Sequence, residues 1–130
     1  MRLLKGNTPS KFITTGCLFI TVILSGCAIK QSKDVTVYQS RGAVQCETTG
    51  STVQESRDKL MSIGVNVESS QCARLNDLMF ASVCGGKTAD ILVHSVNARD
   101  LKVVQEMGFT LVSELESAES ETGYTIVPCE

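Results

Sequence analysis

Two stretches decide the fold of this chain: DVTVY at residues 34–38 and DILVH at residues 90–94. Each begins with an aspartate and continues with residues that favour strands, and in the first the apolar valines alternate with Thr36 and Tyr38. A period of two is typical of a strand that buries one face. The recurrence of this pattern predicts two similar units in tandem, each opening with a strand.

A helix is predicted after each of these strands. Thr52 and Glu55 have the spacing of a capping box, and an apolar helical face follows it, formed by Val53, Leu60, Met61 and Ile63. In the second unit Asn97 can cap a helix, with Asp100 three residues on, and the apolar stripe consists of Leu101, Val104 and Met107. Gly64 and Gly108 are predicted to end the helices, as glycine does at a left-handed cap.

Each helix is followed by a second alternating segment, at residues 65–68 and 109–112. Residues 69–89 interrupt the order, and residues 114–121 form an acidic stretch that we expect to be solvated. A short last strand is predicted within residues 124–128. The chain is therefore predicted to be α+β, a two-layer βαββαβ sandwich of ferredoxin-like order 4-1-3-2. The extra C-terminal strand is expected beside strand 4.

The repeat also predicts which side chains face the helices. Aligning the two units places Val35, Val37, Ile91 and Val93 against the helices. The opposite face is then a candidate binding face, with four polar or aromatic members: Tyr38, His94, Glu68 and Asn66. We expect this face either to bind a partner or to be covered by residues 74–84.

The N-terminal segment has the features of a secretion signal. Three basic residues precede a 13-residue, mostly apolar run from Phe12 to Leu24, too short for a transmembrane helix. Leu24-Ser25-Gly26-Cys27 follows and resembles the lipobox of bacterial lipoproteins at all four positions. The resemblance implies cleavage after residue 26 and a diacylglyceryl and N-acyl group on Cys27, a stable two-chain membrane anchor. Because Ala28 is not an aspartate, it also implies the periplasmic face of the outer membrane.

Cleavage would remove residues 1–26 of 130 and leave 104, enough for one small domain, residues 34–130, on a short tether, residues 27–33. The removed segment carries three basic and no acidic residues, so the formal net charge falls from −2 to −5. This charge argues against nucleic acid as a partner. The short tether keeps the domain near the membrane.

Four cysteines remain after Cys17 is removed with the signal and Cys27 is lipidated: Cys46, Cys72, Cys84 and Cys129. An even number in an oxidising compartment predicts two disulfides. The predicted topology brings all four to one end of the sheet and favours Cys72–Cys84 and Cys46–Cys129 among three possible pairings. The chain has neither a CxxC motif nor paired histidines, so we expect no metal site and no cofactor.

The sequence is compatible with three hypotheses about function. The first is a non-enzymatic lipoprotein with a structural or protein-binding role and an envelope protein as partner. The second is an envelope stress or redox sensor that acts through its disulfides. The third is a thiol oxidoreductase using Cys46, since a strand, a cysteine and a helix follow in the order of glutaredoxin-like proteins, although the CxxC and the cis-proline loop are missing. The domain also resembles small proteobacterial lipoproteins at Gln45-Cys46 and Val83-Cys84-Gly85. That resemblance implies no activity.

Overall fold

A computed structural model describes residues 33–116 and 122–130 of the chain. The described chain is α+β, with a five-stranded antiparallel sheet, two α-helices and two disulfides, which confirms the predicted fold class at this level. The predicted signal segment, the lipobox and Cys27 lie outside the described residues. The strands and α-helices are β1 Asp34–Ser40, α1 Val53–Ser62, β2 Val67–Leu75, β3 Asp90–Asn97, α2 Leu101–Glu106, β4 Thr110–Leu111 and β5 Tyr124–Val127.

The predicted helix starts and stops are confirmed. Thr52 accepts a hydrogen bond from the Glu55 backbone N–H, and the Glu55 carboxylate accepts one from the Thr52 backbone N–H, which completes the capping box. Asn97 caps a short 3-10 helix, Ala98–Asp100, that leads into α2. Gly64 has φ +86° and Gly108 has φ +91°, the left-handed conformation that glycine adopts without steric cost.

The main core lies between the two helices and one face of the sheet. Leu60 of α1 and Val104 of α2 are fully buried against Val37 and Val96, and Phe109 is 3% exposed in the same cluster. Met61 and Ile63, which we expected on the apolar face of α1, are instead half exposed. Met61 lies in the last turn of the helix, and Ile63 is its C-cap residue. The buried positions of α1 are Val53, Ser56 and Leu60, so a serine takes one of them.

The prediction of which β3 residues face the helices is wrong, because the alternation is shifted by one residue. In the antiparallel register Val37 is opposite His94 and Gln39 is opposite Leu92, so these side chains share the helix-facing side of the sheet. Ile91 and Val93 face the other way. The error arises because β3 is a central strand buried on both faces, where apolar residues occur at successive positions and alternation carries no signal.

Strand β2 is longer than predicted and contains a cysteine that we expected in a connecting segment. It runs from Val67 to Leu75, and Cys72 within it is 2% exposed. A register shift between Val67 and Ser69 breaks the alternation of side chains. Polar residues at the following positions then hid the second half of the strand in the sequence.

The sheet order is β4-β1-β3-β2-β5, so β5 lies at the edge opposite to the one predicted, and the ferredoxin-like class is not confirmed. Strand β4 has only two residues because the chain leaves the edge through a 3-10 helix, Val112–Leu115. Val112 packs with Ile91 and Val93 on the face opposite the helices. The chain then reaches the far edge of the sheet, where β5 pairs with β2.

The disulfides are Cys46–Cys84 and Cys72–Cys129, so the predicted pairing is wrong. The physical reason is the course of β2 and β5. Cys72 lies opposite Val127 of β5, two residues before Cys129. Cys46 and Cys84 lie in the loops 41–50 and 76–89, which meet beyond the end of β1, as the backbone bonds between Gln45 and Gly85 and Gly86 show.

Candidate functional site

A buried polar cluster lies between α1 and the sheet, around the single histidine of the chain. His94 of β3 is fully buried and its Nε2 is 2.9 Å from Oγ of Ser56 in α1. Its Nδ1 is 2.8 Å from Oγ of Ser70 in β2. The Gln39 amide donates to Ser56 Oγ at 3.0 Å, and the Phe109 ring meets the imidazole edge-on at a centroid distance of 5.7 Å. Each ring nitrogen of His94 therefore has a partner.

The electrostatics of this cluster keep His94 neutral at physiological pH. Burial, and then the positive charge of Arg57, lower the pKa of His94 from 6.5 to about 4. A neutral imidazole offers one donor and one acceptor. Either tautomer satisfies both serines, because a hydroxyl can donate or accept. Both ring nitrogens of neutral His94 are thus hydrogen-bonded, and the histidine does not need to be protonated to satisfy its partners.

The arrangement of Ser56 and His94 is that of a serine–histidine pair, but it is closed to substrate. Ser56 is 3% exposed and His94 is fully buried. Neither residue lines the cavities described below. A nucleophile needs a reacting carbon within reach of its oxygen, and in this conformation the pair is buried and contributes to the packing between α1 and the sheet.

The candidate binding face predicted from the sequence is not assembled. His94 lies on the helix-facing side, whereas Tyr38 packs on the opposite side in a cluster with Ile91 and Val93. Asn66 donates to Glu68 at 2.6 Å, and both are exposed where β2 begins. The four residues therefore form no common surface, because the face of β3 was assigned one residue out of register.

The structure brings together a different set of residues at the loop end of the sheet. Here Cys46 in loop 41–50 is bonded to Cys84 in loop 76–89. The Gln45 amide donates to the carbonyl oxygens of Ala81 and Lys87, at 2.9 and 3.0 Å. Backbone bonds from Gln45 to Gly86 and from Gly85 to Gln45 join the same loops. The two loops are thus held together as one unit.

This unit carries the most exposed apolar side chains of the described domain. We call residues 77–83 the apolar loop. Within it Met79 is 100% exposed, Val83 58%, Leu78 52% and Phe80 39%. Scattered apolar residues are normal on a surface, but a contiguous group marks an interaction site. Four large apolar side chains within seven residues form such a group.

A cavity of about 370 Å³ opens beside the apolar loop. Its lining is mainly apolar and includes Tyr38, Ala43, Val44, Leu75, Phe80 and Ile91. A second cavity of about 320 Å³ shares Phe80, Thr88 and Asp90 with the first and also reaches Leu78 and Gln45. Phe80 therefore stands between two neighbouring cavities. An apolar hollow with a few polar groups is typical of a binding site.

The charges around the cavities are nearly balanced. Asp90 accepts hydrogen bonds from Nε and Nη2 of Arg74, at 3.2 and 3.0 Å. Lys87 and Asp90 line the first cavity, and Arg74 and Asp90 line the second. Since Arg74 already neutralises Asp90, Lys87 adds a single positive charge to a mainly apolar opening.

The other predicted site residues are distributed as follows. All four described cysteines are in disulfides, so the oxidoreductase hypothesis has no free Cys46 thiol in this state and stays a prediction about the reduced protein. Among residues 33–116 and 122–130 no group of three potential ligands is placed to hold a metal ion. None of the helices in those ranges is long and apolar enough to cross a membrane.

Partial signals for the buried polar cluster and for the apolar loop were present in the sequence. The run Leu78-Met79-Phe80 was visible between cysteines, but its exposure depends on where loop 76–89 leaves the sheet. The partners of His94, Ser56 and Ser70, lie 38 and 24 residues away and carry no motif. A serine at position 56, on the predicted buried side of α1 between Val53 and Leu60, was the one available hint.

Comparison with known proteins adds no relationship to this picture: no protein-family model, no curated protein sequence and no solved structure matches the chain.

Proposed function

We propose that this protein is a lipid-anchored, non-enzymatic envelope protein that binds a protein partner through the apolar loop and the cavity beside it. The observation that carries the proposal is the exposure of Leu78, Met79, Phe80 and Val83 on a loop tied down by a disulfide. Exposing an apolar group to water costs free energy, and this free energy is recovered when a partner covers the group. A loop held in place before binding loses little conformational entropy on association.

The position of the cavity favours a protein over the anchoring membrane as its occupant. The described chain enters β1 at Asp34, and the cavity is lined by Ser40, Gly42 and Ala43 at the other end of that strand. At about 3.3 Å per residue, a strand of this length separates the two ends by roughly 20 Å. A domain tethered through the segment before residue 34 would hold the apolar loop away from its attachment point.

The chemistry of the cavity fits an apolar anchor side chain from the partner. Interfaces commonly depend on a few large side chains that fill pockets. Here such a side chain would contact Tyr38, Leu75 and Ile91, and the Thr88 hydroxyl and the Lys87 ammonium offer polar contacts to a backbone or an acidic group. Enzymatic chemistry is not part of the proposal, since the Ser56–His94 pair is buried.

The anchor is a proposal supported by the lipobox resemblance of residues 24–27 and by the disulfides, which suit an oxidising compartment outside the cytoplasm. We place it at the periplasmic face of the outer membrane. Metabolic labelling with radioactive palmitate tests the lipid: Cys27→Ser is expected to lose the label, and Cys17→Ser to keep it. Equal labelling of both variants would contradict lipidation at Cys27.

Position-specific photo-crosslinking in intact cells tests partner binding. A photoreactive amino acid replaces Met79, and the matched control carries it at Met61, a half-exposed methionine on α1. We expect a discrete adduct with a different protein from position 79 and none from position 61. An adduct of two copies of this chain would instead identify a homodimer. Either that result or the absence of any protein adduct at position 79 would contradict the proposal.

A further inference from the structure

The two disulfides differ in their access to solvent. Cys46 and Cys84 are both exposed residues in surface loops. Cys72 is 2% exposed and packs in a buried cluster with Val53 and Leu92, while its partner Cys129 is exposed near the C-terminus. Thiol–disulfide exchange requires a thiolate to reach a sulfur atom, and its rate depends on that access. Both residues of the loop-end disulfide are therefore exposed, whereas only one residue of the other disulfide is.

We propose that Cys46–Cys84 is a redox-sensitive site, reduced by a dithiol while Cys72–Cys129 stays closed, and that its opening releases the apolar loop. The reductant is defined only by its chemical class, a molecule or protein with two neighbouring thiols. This inference concerns the regulation of the surface described above, so its consequence for partner binding rests on the proposed function.

The exchange balances as a two-electron reduction. A thiolate of the dithiol attacks one sulfur of the pair, the Cys46–Cys84 bond breaks, and a mixed disulfide forms with the attacked cysteine. The other cysteine leaves as a thiolate and takes up a proton. The second thiol of the reductant then attacks the mixed disulfide and releases the remaining cysteine, which is also protonated. Two electrons and two protons pass to the protein, and the reductant becomes a disulfide.

The leaving group explains why Cys72–Cys129 should resist reduction by the dithiol. Attack at the exposed Cys129 would expel Cys72 as a thiolate among Val53, Leu92 and Val127. A charge without a partner in apolar surroundings is strongly disfavoured. At the loop end either cysteine leaves into water. The same exchange reaction is therefore unhindered at one disulfide and opposed at the other.

The local backbone supports release of the loop once the bond opens. Cys46 has φ +64°, the only left-handed residue other than glycine in the described chain. That conformation is unfavourable for a residue with a Cβ and persists only where the surroundings impose it. With the disulfide open, the bonds of Gln45 to Gly85, Gly86 and Lys87 still hold the base of loop 76–89, but within the apolar loop itself the bond from loop 41–50 is the one from Gln45 to Ala81. A single exposed hydrogen bond is a weak restraint.

The test uses the purified full-length mature protein in detergent, with dithiothreitol as the dithiol. Timed samples are alkylated, and peptide mass spectrometry measures the labelled fraction of each cysteine. We expect Cys46 and Cys84 to become labelled at least about tenfold faster than Cys72 and Cys129, since access controls the rate. Limited proteolysis of the same samples should then cut within residues 77–83. The variant Cys46→Ala/Cys84→Ala should be cut there without reductant.

Two results would overturn the inference. One is simultaneous labelling of all four cysteines, or earlier labelling of Cys72 and Cys129. The other is selective opening of Cys46–Cys84 without new cleavage in the apolar loop. Both measurements need no partner, so they decide the inference even if crosslinking from position 79 fails, which would contradict the proposed function alone. If that crosslink exists, we expect it to be lost in Cys46→Ala/Cys84→Ala, and its full retention would contradict regulation of binding.

Discussion

The two disulfides of this domain close similar lengths of chain but have different surroundings. Cys72–Cys129 joins residues 57 apart, and Cys46–Cys84 joins residues 38 apart. In the chain-entropy model loops of these sizes each give about 4 kcal/mol, with a difference of only a few tenths. Loop length therefore does not distinguish them. What differs is that one bond holds two paired strands and the other holds two surface loops.

This difference shows that a disulfide's effect on stability depends on the native state as well as on the unfolded chain. When Cys72–Cys129 is removed, β5 still pairs with β2 over four residues, so the folded state gains little freedom. When Cys46–Cys84 is removed, loops 41–50 and 76–89 gain freedom in the folded state too. That gain offsets part of the entropy recovered by the unfolded chain.

The largest expected effect is on the free energy of unfolding. We expect Cys72→Ala/Cys129→Ala to lower it by about 4 kcal/mol, and Cys46→Ala/Cys84→Ala, the matched control, to lower it by less than half of that. Chemical denaturation followed by circular dichroism measures both. Equal losses would mean that the loop-end disulfide stabilises the fold as strongly as the one in the sheet, and the comparison would be wrong.

The next largest expected effect is the pH dependence of the free energy of unfolding, and it arises in the core around His94, on the sheet and not in the surface loops. His94 has a pKa of about 4 in the folded state and an ordinary value of 6.5. The unfolded chain therefore binds more protons between these values, and stability is lost as pH falls through this window. The full loss is on the order of 3 kcal/mol. Denaturation midpoints measured from pH 7 to pH 4 report it.

The control for this effect is His94→Gln, which removes the titrating ring and keeps a polar side chain. We expect this variant to be less stable than the wild type at pH 7. Its stability should also fall less steeply between pH 7 and pH 4, because the histidine contribution is absent. Carboxylates titrate in both proteins, so only the difference between the two curves is interpreted. Parallel curves from pH 7 to pH 4 would contradict the assignment of a buried, neutral His94.

The smallest expected effect on stability is at the apolar loop. Met79 is fully exposed, so Met79→Asp should change the free energy of unfolding by less than about 0.5 kcal/mol. The same variant should abolish binding through this surface, since it places a charge at the centre of an apolar contact. Met61→Asp serves as the surface control and should leave binding intact. A large loss of stability in Met79→Asp would show that the loop packs against the domain.

The parts of the fold that follow from local chemistry were predictable from sequence. The capping box at Thr52 and Glu55 and the left-handed Gly64 and Gly108 depend on neighbouring residues and were placed correctly. The face of β3 was not predictable, because a central strand is apolar on both sides. The end of β2 was hidden by its register shift, and that error displaced Cys72. Together with the misplaced β5, it produced the wrong disulfide pairing.

The position of β5 required information that no local pattern contains. A strand of four residues pairs equally well with either edge of a sheet as far as its own sequence is concerned. Its actual edge depends on where the chain leaves β4, through the 3-10 helix Val112–Leu115, and on Gly123. A Cβ at Gly123 would lie only 2.3 Å from the Leu115 carbonyl oxygen. Only a glycine permits this close approach.

The most direct test of the account is disulfide mapping of the native protein. Digestion without reduction, with free thiols blocked first, followed by mass spectrometry identifies the linked peptides. We expect one species joining the peptides of Cys46 and Cys84 and another joining those of Cys72 and Cys129. Linked peptides joining Cys72 to Cys84 and Cys46 to Cys129 would contradict this expectation, because no disulfide would then join the two surface loops alone or the strands β2 and β5 alone.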